Sequence, residues 1–121
     1  MKTGTETGMS GIWQNELSSR LELVTLGGSE IAGSFEAGVG ASKVRRSLTG
    51  FYDASPQDGS CALGFVVSWP EERSVTVWSG RYESERDVIV TTWLLSSGAQ
   101  HDEWRSITIG HDEFRRSPED G

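Results

Sequence analysis

The chain has 121 residues, enough for one domain with a modest core, and includes 15 glycines, five tryptophans and a single cysteine. Its formal net charge of -7 at pH 7 would repel a phosphate backbone, and the Arg45–Arg46 and Arg115–Arg116 pairs are isolated rather than part of a basic stripe, which argues against nucleic acid as a partner. One cysteine excludes an intrachain disulfide, and no apolar run reaches membrane-spanning length.

Residues 1–10 are polar and glycine-containing and read as a flexible tail; "MKTGTETGMS" lacks the apolar core of a signal peptide. From 11 to 115 the pattern is that of one all-β domain. "GIWQNEL" (11–17) is the first expected strand, and "SRLELVTL" (19–26) follows after a tight corner. "GG" at 27–28 turns the chain into "EIAGSFEA" (30–37), and "GVGASK" (38–43) is a loop. "RRSLTGFYD" (45–53), "CALGFVVSW" (61–69) and "SVTVWSGRY" (74–82) are separated by the turn signals "ASPQDG" and "PEER". "DVIVTTWLLSS" (87–97), the loop "GAQHDE" and "WRSITIGHDEF" (104–114) complete eight strands, and residues 116–121 read as a second tail. A meander of evenly spaced strands removes its own edges by closing, so the expected fold is an eight-stranded antiparallel up-and-down β-barrel, wide enough for one small ligand.

Period-two alternation assigns the faces. Ser74, Thr76, Trp78, Gly80 and Tyr82 share one side of the sixth strand; Cys61, Leu63, Phe65, Val67 and Trp69 share one side of the fifth. Trp13, Asn15 and Leu17 fall together on the first, Ile89, Thr91, Trp93 and Leu95 on the seventh, and Thr108, Gly110 and Asp112 on the eighth. If the tryptophan-bearing sides point inward, they bring Asn15, Ser74, Thr76 and Asp112 with them. Buried polar groups need partners, so such an interior suits a ligand with a polar head and an apolar body. A tryptophan-rich barrel whose inner hydroxyls satisfy one another fits the same spacing. The outer sides would carry Val75, Val77, Val88, Val90, Leu94, Ile107 and Ile109, an apolar patch that another subunit would cover. Cys61, in an apolar stretch, is expected to be a buried small hydrophobe.

The His101–Asp102 and His111–Asp112 doublets could suggest a metal or acid–base site. Their spacing matches no standard ligand set, and alternation turns His111 outward and Asp112 inward. "GVG" precedes no helix and is no dinucleotide motif. An enzyme is therefore not expected, and no cofactor is called for.

Taken in order, "GIWQNELSS", "GSFEAGVG", "LTGFYD", "ALGFVVSW", "SVTVWSGRY", "TTWLLSSG" and "EWRSITIGHDEF" form a specific series. From Gly11 to Phe114 the chain resembles the avidin/streptavidin family, and most of all its bacterial streptavidin branch. The resemblance implies a secreted homotetramer, or alternatively a dimer, that binds biotin at one end of the barrel without catalysis. It implies that Asn15 and Ser19 donate to the ureido oxygen, that Asp112 accepts a ureido N–H, and that Thr76 faces the ring sulfur. Ser74 and the backbone N–H of Ala41 would hold the valerate carboxylate, with Val39 in the same loop. Trp69, Trp78, Trp93 and Leu95 would form the walls, Trp104 would reach across to a neighbouring subunit's pocket, and Trp13 would plug the closed end.

This chain departs from the family at two polar positions. Phe35 stands where a tyrosine usually gives the third ureido-oxygen donor, and Ala37 where a serine usually accepts a ureido N–H. Each lost hydrogen bond to a buried group costs about 1–3 kcal/mol, so both together imply binding weaker by roughly two to four decades. Two alternatives follow: an avidin-fold oligomer that takes a different small ligand, and a purely structural oligomer.

Overall fold

The computed structural model describes residues 8–38, 44–99 and 106–118. Its strands in chain order are β1 (Gly11–Gln14), β2 (Arg20–Thr25), β3 (Glu30–Glu36), β4 (Arg45–Tyr52), β5 (Ser60–Trp69), β6 (Ser74–Glu83), β7 (Val88–Ser97) and β8 (Ile107–Arg116). Each pairs antiparallel with the next, and β1 pairs with β8, so the sheet closes into the expected eight-stranded up-and-down barrel.

The alternation read from sequence becomes a set of inward rows. Cys61, Tyr82, Ile89 and Phe114 are cross-strand partners in the row nearest the closed end. Above them come Leu63, Gly80, Thr91 and Asp112, then Phe65, Trp78, Trp93 and Gly110, then Val67, Thr76, Leu95 and Thr108. Trp69 and Ser74 pair at the opposite end. The lower rows form a core in which Trp13, Leu21, Ile89 and Phe114 are fully buried. Gly110 faces Trp93 across the β7–β8 ladder, and a Cβ there would stand 2.1 Å from Trp93 Cζ2. The indole therefore lies against bare backbone, which sets how far it projects into the barrel.

The closed end is plugged by Trp13. Its indole N–H donates to Met9 O at 2.9 Å, its ring meets Tyr82 edge-on at 5.9 Å, and the Arg116 guanidinium sits 4.0 Å from its ring centroid. Arg116 also donates to the backbone carbonyls of Gly8 and Ser10 and to the Asp87 carboxylate. The chain just before β1 is thereby anchored, with Met9 fully buried.

Two expectations need correction. The first strand stops at Gln14 rather than running to 17, because Asn15 starts a turn: Ser18 N–H bonds Asn15 O at 3.1 Å and Ser18 adopts φ 63°. Leu17 consequently lies beyond the strand and is 58% exposed. Val88, expected in the outer apolar patch, is fully buried. It lies in register between Glu83 and Arg115, whose methylene stems can shield an apolar neighbour. Val90 is half-buried, while Val75, Val77, Leu94, Ile107 and Ile109 of the expected patch are all exposed, and Val77, Leu94 and Ile109 are direct cross-strand neighbours. Cys61 is buried as expected, with its thiol donating to Asp53 O at 3.1 Å.

Two predictions follow from this packing. Gly110→Ala forces the Trp93 ring to move, so it should destabilise the barrel by about 1–3 kcal/mol and shift tryptophan emission, read by thermal melting and fluorescence. Burial pushes the Cys61 thiol above its ordinary 9.0, and burial with donation to Asp87 pushes the Tyr82 phenol above its ordinary 10.0. Both groups ionise more readily in the unfolded chain. Their contribution is intact below pH 9 and is lost as pH rises through the raised folded values, so the melting temperature should begin to fall above about pH 9.

Candidate functional site

Above the lower rows the barrel opens into a cavity of about 840 Å³. Eleven of the residues expected at the site line it: Asn15, Ser19, Phe35, Ala37, Trp69, Ser74, Thr76, Trp78, Trp93, Leu95 and Asp112. They come from β3, β5, β6, β7, β8 and the β1–β2 turn, so closure of the barrel is what brings them together. Val39, Ala41 and Trp104 lie outside the described residues. Leu17, expected on the inner face, lines the cavity from the turn, and Val44, Arg46, Glu71 and Glu72 line it as well and were not anticipated there. Arg46 was discoverable, because it is two residues before Leu48 on β4, and Leu48 is buried. The two glutamates sit on the 3-10 turn Pro70–Glu72, where no strand period applies.

The walls are aromatic. Phe35 packs at 4.8 Å from Trp78 and edge-on at 6.0 Å from Trp69, and Phe65 stacks under Trp78 at 5.0 Å with an interplanar angle of 16°. These contacts fix the rings in place, and rigid rings make good walls for an apolar ligand body.

The polar groups are prearranged in a particular sense. Asn15 Oδ1 accepts from the backbone N–H of Leu17 at 3.0 Å and of Ser19 at 2.9 Å. Its acceptor end is thus occupied, and its NH₂ remains to donate. Ser19 Oγ accepts from the Gly38 N–H at 3.0 Å, which leaves the hydroxyl proton to donate as well. Asp112 Oδ2 accepts from the Trp78 indole N–H at 3.1 Å, leaving Oδ1 as an acceptor. Thr76 Oγ1 accepts from the Trp69 indole N–H at 3.0 Å, so the threonine too is turned into a donor. The turn that cuts β1 short is therefore also the device that presents two donors, with a carboxylate acceptor on the neighbouring strand β8.

At the rim, the Arg46 guanidinium is ion-paired with Glu71. The Glu71 carboxyl is held below its ordinary range, first by a backbone hydrogen bond and then by Arg46. His111 faces out, with Nδ1 3.0 Å from Thr92 Oγ1, while Asp112 faces in, so the two do not converge on one site. His101 and Asp102 lie outside the described residues. Two smaller hollows, of about 580 and 520 Å³, lie around Arg81 and Glu113 and around Arg73 and Ser96, and neither is lined by a tryptophan.

An eight-stranded barrel with an aromatic cavity at one end finds its match among known proteins. The model of the Avidin family matches residues 3–117. Avidin of Gallus gallus is 27% identical over 117 residues, an alignment that covers 89% of this chain and 77% of that protein. With nearly its whole length accounted for in this way, the chain belongs to the avidin family.

Proposed function

We propose that this chain binds biotin in the barrel cavity, without catalysis, and more weakly than the family's tightest members. One observation carries the reading: two donors, Asn15 NH₂ and the Ser19 hydroxyl, and one acceptor, Asp112 Oδ1, each without a partner among the described residues, line the same cavity as Trp69, Trp78 and Trp93. A ureido group presents the complement, a carbonyl that accepts two hydrogen bonds and an N–H that donates one. Its oxygen gains partial negative charge between fixed donors, as an oxyanion does in a hydrogen-bonding hole. Biotin's fused rings are apolar and suit the Trp69, Trp78 and Trp93 walls, with Leu95 beside them. The Thr76 proton is available to the ring sulfur, and Ser74 to the valerate end.

Phe35 and Ala37 each remove one polar contact from this set, which supports the weaker affinity. Val39, Ala41 and Trp104 keep their proposed roles in the valerate loop and in lidding a neighbour's pocket. The outer row of Val77, Leu94 and Ile109 supports assembly into a homo-oligomer, which we assign as a tetramer in preference to a dimer. Secretion, implied by the family likeness, belongs to the same proposal.

Calorimetric titration with biotin should give one ligand per chain. The double change Phe35→Tyr/Ala37→Ser should tighten binding by roughly two to four decades, and Asp112→Ala should weaken it by at least about tenfold. No heat from the natural chain, with binding restored by the double change, would identify a biotin scaffold that has turned to another ligand. Light scattering should report an oligomer at micromolar concentration and a smaller species for Ile109→Glu. A natural chain that runs as a monomer overturns the assembly.

A further inference from the structure

We infer that Arg46 is the residue that makes the cavity discriminate between a ligand tail ending in a free carboxylate and one ending in a neutral group. This deepens the biotin reading and rests on it. Arg46 shares the inner side of β4 with buried Leu48 and is in register with Phe35, whose ring packs against Trp69 and Trp78. It therefore stands in the wall near the mouth, where its side chain is 28% exposed, on the side of the cavity where a ligand's tail must leave.

The guanidinium has five N–H donors, and among the described residues only Nη2 is engaged, by Glu71 Oε1. Glu71 is 65% exposed on its short turn, so water competes with it for that bond, and such a pair is easily exchanged. A ligand carboxylate has the planar two-oxygen geometry that a guanidinium matches best. Ser74, whose buried hydroxyl lines the same cavity, is a second donor for it. The opposing charges are also clear. Glu71 and Glu72 both line the mouth and repel an anion, and Arg46 is the cation among the described lining residues. Without Arg46, a carboxylate tail would meet two negative charges and no positive one among the described lining residues. With it, the tail can displace Glu71 and take over its partner.

The test compares biotin with biotin methyl ester, which has the same rings and no charged tail. Dissociation constants are measured for the unmodified protein, Arg46→Gln, Arg46→Lys and Glu71→Gln, with melting temperatures confirming that each is folded. Arg46→Gln should weaken biotin binding by roughly threefold to tenfold and leave the ester unchanged, and Arg46→Lys should recover part of the loss. Glu71→Gln should tighten biotin by roughly twofold to fivefold, again without effect on the ester, and added salt should shrink both effects. If Arg46→Gln weakens acid and ester alike, the residue only shapes the mouth and the inference fails. It fails equally if neither affinity changes. If the unmodified protein binds neither compound, the biotin reading itself falls and the inference with it, an outcome distinct from two ligands bound with equal affinity.

Discussion

Everything at the open end depends on how the barrel closes. β1 and β8 share only two register pairs, Trp13 with Arg116 and Gln14 with Arg115, whereas β6 and β7 share ten. A seam that short is a weak point in a closed sheet, because unpaired backbone groups on either side must find other partners. Here they are supplemented by side chains. Arg116 ties the residues before β1 to the Asp87 carboxylate and covers the Trp13 ring, while Trp13 holds Met9 O. Closure is concentrated at the plugged end, and this leaves the other end of β1 free to do something besides pair.

What it does is turn. A longer β1 would continue the ladder and put Asn15 and Leu17 at alternate inward positions of a strand. Instead the Asn15 side chain takes two backbone N–H groups of its own turn, an arrangement that competes locally with strand geometry. The hydrogen bonds that end the strand also fix which end of the amide faces the cavity. Ser19 is handled the same way by Gly38, and Asp112 and Thr76 by two indole N–H groups. For Asn15, Ser19 and Thr76 the structural contact uses the acceptor and leaves a donor, and for Asp112 it occupies one carboxylate oxygen and leaves the other to accept. That is preorganisation built without spare polar atoms, and it restricts what the cavity can accept to a ligand with the opposite pattern.

Much of this was readable from the chain itself. A closed barrel has two faces, so a period of two assigns nearly every strand residue. The rows containing Cys61, Phe65, Trp78 and Thr76 came out as the alternation requires. The unread parts are those the period does not govern. Whether Asn15 continues a strand or starts a turn depends on its side chain's competition for backbone donors two and four residues on, which alternation does not register. Val88 sits on the outer face by period yet is buried by its long neighbours in register, a property of three strands at once. Glu71 and Glu72 belong to a turn, and their position at the mouth follows from the tertiary course of β5 into β6. The role of Gly110 as the floor beneath Trp93 needed the register of β7 against β8.

Phe35 and Ala37 can be understood as a shift in where the protein invests its stability. A hydroxyl kept in the cavity for a ligand must be hydrated or otherwise partnered when the ligand is gone, and in an aromatic surround that is costly. A phenylalanine carries no such obligation. Its ring makes two aromatic contacts, at 4.8 Å with Trp78 and 6.0 Å with Trp69, each of a kind worth about 0.5–1.5 kcal/mol beyond simple burial. Under the biotin reading, Phe35 keeps these wall contacts and leaves no hydroxyl to be partnered in the empty barrel, at the cost of the contact a hydroxyl would give the ligand. Under the proposed reading, affinity falls because the ureido group finds fewer partners, while the donors that remain stay fixed by contacts that do not involve Phe35 or Ala37 at all. Such a cavity keeps the shape and polarity of a biotin site and shifts part of its discrimination outward, to the charged groups at the mouth.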